Sequence, residues 1–132
     1  MNDGFLLDSV ILIDHFNRID AATDFLSRQF GRCAISAITR AEVLAGFDDA
    51  DLPAAIALLD QFRFLPLDRA VADEAARQRR DTRLKLPDAI QAAFAIRHRL
   101  RLVTRNSKDF RPEEFDFVMT PYTLEERGTG NE

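Results

Sequence analysis

Short apolar runs alternate along the chain with longer stretches in which apolar residues recur every three or four positions. The short runs read as strands and the periodic stretches as helices. Gly4–Leu7 predicts a first strand. A helix over Val10–Arg18 follows, capped by Asp8 or Ser9. Within Ile19–Phe30, Ala22, Phe25, Leu26 and Phe30 share one helical face. Cys33–Ile38, small and β-branched, predicts a second strand, and Thr39 begins a helix through Val43, Leu44 and Phe47. The polar turn from Asp48 leads to a helix over Pro53–Phe62. Phe64–Leu67 predicts a short third strand, whose proline suggests an edge or a strand end. Asp68 caps a long helix to about Arg83, and Pro87 opens another that runs to about His98. Leu102–Thr104 and Phe117–Met119 are the last strands. This alternation predicts an α/β fold with a parallel sheet covered on both faces.

One residue breaks the pattern. Asp8 lies inside Phe5–Ile13, a stretch that is otherwise almost wholly apolar. A run of that kind is buried on both faces, where an ionised carboxylate is costly unless something pairs with it. Asp8 therefore either caps a helix or belongs to a charged site.

The 132 residues fit one domain over residues 1–126, with a Gly-rich, polar and frayed tail over 127–132. No apolar run approaches the roughly 20 residues of a membrane span. The N-terminus has neither a basic region nor a cleavage site for secretion. The single cysteine, Cys33, excludes an intrachain disulfide and reads as a small buried hydrophobe, so a cytoplasmic location is expected.

The net charge of −4 hides a segregation. From Arg77 to Arg111 the chain holds 11 Lys and Arg against three acids, a local charge of +8. The remainder holds 7 basic and 19 acidic residues, or −12. The basic span reads either as solvated helix faces or as a surface for a polyanion, and the segregation favours the second.

In parallel α/β folds the ligand site lies outside the carboxyl ends of the strands. Asp8 follows the first strand, Glu42 lies in the first turn after the second, and Asn106 and Asp109 follow the fourth. Asp88 begins the helix that feeds the fourth strand, which would put it at the opposite end unless that helix brings its start back to the site. Each acid also has a purely structural reading. Asp8 and Asp109 would be caps, Glu42 would close a capping box on Thr39, and Asp88 would face the positive end of a helix dipole. As a converging group, the acids would repel one another, and a hard divalent cation such as Mg²⁺ or Mn²⁺ relieves that. No Cys/His set for zinc exists: the histidines are His15 and His98, and His98 reads as solvent-facing.

Four segments, Leu7–Ile13, Thr39–Gly46, Leu86–Ala93 and Leu102–Phe110, resemble in order the four motifs of PIN-domain ribonucleases, and among them the VapC-like toxins of bacterial toxin–antitoxin pairs. The resemblance covers nearly the whole chain. It implies a three-layer α/β/α sandwich with a four- or five-stranded parallel sheet, in which Asp88 reaches the pocket of Asp8 and Glu42. It implies catalytic acids Asp8, Glu42, Asp88 and Asp109, and a metal held by Asp8, Asp88, Glu42 and Asn106. Ser9 and Thr104 would support the pocket, and Arg80, Arg83, Lys85, Arg105 and Lys108 would bind RNA. One departure is visible: the family usually has Asn two residues after its first Asp, where this chain has Val10, so a supporting hydrogen bond is expected to be missing.

The function so implied is metal-dependent endoribonuclease activity, with RNA as substrate, a small cognate antitoxin as partner, and a homodimer. The Phe-, Leu- and Ile-rich segments 19–30 and 53–64 are the candidates for the antitoxin groove and the dimer face. The competing reading is a catalytically weak or inactive PIN-like module that binds partners. A phospho-accepting receiver domain fits poorly, because Asp8 has no adjacent acid.

Overall fold

The structure, a computed structural model, describes residues 4–124; the expected tail over 127–132 lies outside the described residues. Five strands, β1 (Phe5–Leu7), β2 (Cys33–Ser36), β3 (Arg63–Leu65), β4 (Arg101–Val103) and β5 (Val118–Met119), form one sheet in the order β3-β2-β1-β4-β5. Every pairing is parallel. Among the described residues six α-helices accompany them: α1 (Ser9–Phe16), α2 (Asp20–Gln29), α3 (Ala37–Ala45), α4 (Leu52–Leu59), α5 (Arg69–Asp81) and α6 (Leu86–His98).

The pleat sorts the core into two halves, because neighbouring strand residues point to opposite faces. Phe5, Leu7, Cys33, Ile35 and Val103 pack on one side with residues of α1 to α4 such as Ile11, Leu12, Phe25 and Leu59. Leu6, Ala34 and Leu102 pack on the other, against α5 and α6 through Val71, Ala75, Ala92 and Phe94. The result is the three-layer α/β/α sandwich with five parallel strands. No helix among the described residues is long and apolar enough to cross a membrane.

Several boundaries differ from the sequence reading, each for a local reason. The second strand stops at Ser36, whose hydroxyl accepts the Thr39 amide at 3.1 Å and so caps α3. Thr39 is then the third residue of the helix, its amide is taken by Ser36, and the capping box that was the structural alternative for Glu42 does not form. Helix α2 gives way at Phe30–Arg32 to a single 3-10 turn. Strand β3 ends before Pro66, which has no N–H for a ladder, and the strand is an edge as its proline suggested. Helix α5 ends at Asp81, and the Thr82 hydroxyl donates to the Gln78 carbonyl at 2.6 Å.

The direction of α6 matters most for function. Only Arg99 and Leu100 separate His98 from β4, with Arg99 in the left-handed region at φ 57°. So tight a turn folds the helix back on the strand it feeds, and α6 must start at the carboxyl ends of the strands. The expectation that its first turn would lie at the opposite end is corrected by this geometry.

Candidate active site

Asp8 is the first residue past β1. Its amide makes the last sheet bond, to the Val103 carbonyl at 2.9 Å, and its extended backbone turns the chain into α1 as the N-cap. Its carboxylate accepts from three donors. Oδ1 takes the Ser9 amide at 2.9 Å and Gln91 Nε2 at 3.2 Å, and Oδ2 takes the Thr104 hydroxyl at 2.8 Å. Asp8 is thus a cap and also part of a polar network that joins β1, β4 and α6.

The carboxyl ends of the strands and the start of α6 enclose a cleft of about 380 Å³. Asp8, Ser9, Val10, Glu42 and Asp88 line it together with the segment Arg105–Lys108. Glu42 reaches it from the exposed face of α3, and Asp88 from the first turn of α6. A second cleft of about 490 Å³ shares Asp88 and Lys108 with the first, and is lined by Arg83, Lys85, Asp109 and Arg111 among others. Asp109 belongs to this second cleft and accepts from Asn106 Nδ2 at 2.9 Å, which ties the two carboxamide and carboxylate groups together at the shared margin. Arg80, on the exposed side of α5, lines neither cleft.

The electrostatics of the cleft show in Asp88. Burial, then the negative charges of Asp109, Asp8 and Glu42, push its carboxyl up to about 6, against a smaller opposing pull from Lys85. Asp88 therefore feels three other acids here, and a hard cation would relieve that repulsion. Asp8, Glu42, Asp88 and the Asn106 carboxamide offer oxygen donors only, the set that Mg²⁺ and Mn²⁺ prefer. Among the described residues, no three acid, His or Cys side chains converge closely enough to grip one ion between them. An ion held by one or two carboxylates and its own waters is the ordinary habit of Mg²⁺, so the donor set fits the group.

Three features of the site escaped the sequence reading. Gln91, 2% exposed, lies one turn beyond Asp88 and supplies an amide N–H to Asp8 that Val10 has no means to give. The signal was present as one polar residue in an alanine-rich helix. Ser36 and Thr39, read as strand and helix start, are buried partners of that amide. Asp14, 3% exposed, grips Arg105 through both oxygens, with Arg105 Nη2 at 2.9 Å from Oδ1, and also accepts the Tyr122 hydroxyl at 2.8 Å. Burial pushes the Asp14 carboxyl up, but the hydrogen bonds from Arg105 and Tyr122 and the Arg105 charge together hold it below its ordinary value. Arg105, expected to bind RNA, is thus committed to an internal acid. No sequence signal joins positions so far apart.

The remaining candidates are unremarkable chemically. His15 Nδ1 hydrogen-bonds the Thr23 hydroxyl at 2.8 Å, and His98 is half-buried and stacked on Phe94 rather than facing solvent. Cys33 is buried, and that burial pushes its thiol up to about 11, as befits a packing residue.

Comparison with known proteins agrees with this fold. The PIN domain matches residues 5–112. Ribonuclease VapC10 of Mycobacterium tuberculosis is 36% identical over 126 residues, covering 90% of this chain and 93% of that protein. Among solved structures, a toxin–antitoxin complex from Klebsiella pneumoniae superposes with a TM-score of 0.85 at 36% identity, over 92% of this chain and 100% of that one. FitAcB from Neisseria gonorrhoeae superposes with a TM-score of 0.73 at 25% identity, over 91% and 99% of the two chains. Matched through β1 to β4 and through all four acidic segments, the chain belongs to the PIN domain family.

Proposed function

We propose that this chain is an endoribonuclease that hydrolyses RNA phosphodiester bonds with the help of Mg²⁺ or Mn²⁺, and that it is the toxin of a toxin–antitoxin pair. The observation that carries the reading is the cleft itself. Asp8, held by three donors, shares the cleft with Asp88, whose carboxyl is pushed up by burial and then by the neighbouring acids, at the end of the sheet where parallel α/β folds bind ligands. The likeness to a ribonuclease over nine-tenths of the chain supports the same reaction class.

Asp8 and Asp88 would hold the cation directly, with Glu42 and Asn106 reaching it through its waters. Bound there, it would neutralise phosphate charge and lower the pKa of a bound water. The residues of the chain have the remaining work. Ser9, Gln91 and Thr104 hydrogen-bond Asp8, and Glu42, exposed on α3, would orient the attacking water. Lys108 at the margin, with Arg83 and Lys85 in the second cleft, would hold flanking phosphates.

The antitoxin has a surface to meet. Phe30 on the 3-10 turn and Phe64 on β3 are 39% and 47% exposed. Between α2 and α4 lies a largely apolar groove of about 360 Å³ lined by Leu26, Phe30, Leu58 and Phe62. These fall in the two segments marked by their apolar excess, and a homodimer would draw on the same faces.

Cleavage of an end-labelled RNA by the purified chain, with Mg²⁺ and with EDTA, tests the proposal. Metal-dependent cleavage is expected, with Asp8→Asn slowing it at least ~100-fold while circular dichroism stays unchanged. If the Asp8→Asn protein cleaves as fast as the parent, the reading is wrong. A folded parent that neither cleaves RNA nor binds Mn²⁺ would instead be the partner-binding module.

A further inference from the structure

Gln91 is 2% exposed on a helix whose other buried residues are alanines and Phe94, and packing alone gives no reason for an amide there. Both ends of that amide are engaged. Ser36 Oγ accepts the Thr39 N–H at 3.1 Å as the cap of α3 and gives its own proton to Gln91 Oε1 at 2.6 Å, with Thr39 Oγ1 farther off at 3.5 Å. Thr39 Oγ1 gives its proton to the Leu7 carbonyl at 3.0 Å, and so accepts from Gln91 Nε2 at 2.9 Å. Backbone groups at the end of β1 and the start of α3 thereby set the proton directions. The amide can sit only one way, with its remaining N–H toward Asp8 Oδ1 at 3.2 Å. Turned over, it would set oxygen against oxygen at Asp8 Oδ1 and at Thr39 Oγ1, whose proton is already given to the Leu7 carbonyl.

We propose that Gln91 is a positioning residue for Asp8. It carries the orientation of the β1 and α3 backbone to the carboxylate, so that Asp8 meets its cation in one geometry. Asp8 thus has a donor from the third layer of the sandwich in addition to Ser9 and Thr104. Groups that hydrogen-bond a metal ligand set its direction, and their loss typically weakens metal binding 10- to 100-fold. The proposal rests on the reading of Asp8 as a metal-holding carboxylate.

The test is calorimetric titration of Mn²⁺ into the parent and the Gln91→Met protein, with thermal unfolding of both metal-free forms alongside. Methionine keeps the length and much of the volume of glutamine and donates nothing. The expected result is a folded variant whose Mn²⁺ affinity falls about 10-fold or more, with the Mg²⁺ concentration for half-maximal RNA cleavage raised in parallel. A lower unfolding temperature with unchanged Mn²⁺ affinity would make Gln91 a core residue only and overturns the proposal. Should Gln91→Met not fold, Gln91→Leu is titrated in its place, and failure of both to fold also assigns Gln91 to the core and overturns it. A parent that binds no Mn²⁺ and cleaves no RNA removes the nuclease reading and this inference together. A parent that binds beside a variant that binds equally well removes this inference alone.

Discussion

Asp8 has both a backbone reason and a chemical reason to stand where it does. Its amide closes the sheet on Val103, and its carboxylate gathers donors from α1, α6 and the end of β4. Gly4, four residues earlier, has only a backbone reason. Its φ of +152° disfavours any side chain, and a Cβ there would lie 2.4 Å from the Arg32 carbonyl oxygen. Gly4→Ala is therefore expected to destabilise the fold by about 2 kcal/mol, read as a fall in the urea midpoint with unchanged slope. A rise or no change would mean that the start of β1 yields easily. At this scale the acids were legible, because a charge in an apolar run stands out. Gln91 was not singled out, since a polar residue among alanines points equally to solvent until the helix is packed.

Between elements, the bond that most shapes the site is the one from Asp14 on α1 to Arg105 after β4, with Tyr122 closing over it. It ties the segment that carries Asn106 and Asp109 to the helix that Asp8 begins. Asp14→Asn is expected to cost about 2 kcal/mol near neutral pH, less than a fully buried pair because Arg105 still reaches water. The Asp14 carboxyl is held below its ordinary value of 3.8, so its contribution is full above that pH and is lost as pH falls through the folded value. Urea midpoints of parent and variant should therefore differ at pH 7 and converge as the pH falls below 3.8 and through the folded value. A gap that stays constant with pH would refute the charge-based account. Element types were readable from periodicity alone, and most helix bodies lie where expected. Junctions were not: whether Ser36 or Thr39 begins α3 depends on a hydroxyl that also answers to Gln91 on another helix.

Across the whole molecule, charge segregation becomes geometry. The span from Arg77 to Arg111 runs from α5 through α6 and β4, and its Arg83, Lys85 and Lys108 line a cleft that continues from the acidic one. RNA laid across both would place a phosphate near the acids and its neighbours on the bases. Binding of RNA to the cleavage-impaired Asp8→Asn protein should then weaken with salt. The slope of log Kd on log salt is expected to be about 2 for three phosphate contacts, and Lys85→Ala should lower it by about 0.7. A salt-independent Kd would dissociate the basic cleft from the substrate. Arg105 should contribute little to that slope, because Asp14 already neutralises it.

The sequence by itself determined the architecture and the identity of the acids. Local periodicity specifies strands and helices, their alternation specifies a parallel sheet, and an acid in an oily run advertises its cost. The tertiary structure alone decided how those acids are held. The two-residue turn after α6 brings Asp88 and Gln91 to the ends of β1 and β2, and packing pairs Asp14 with Arg105 across 91 positions of chain. Hydrogen bonds between distant residues leave no periodic trace in a sequence, since each partner is specified by where the fold puts it and not by its neighbours.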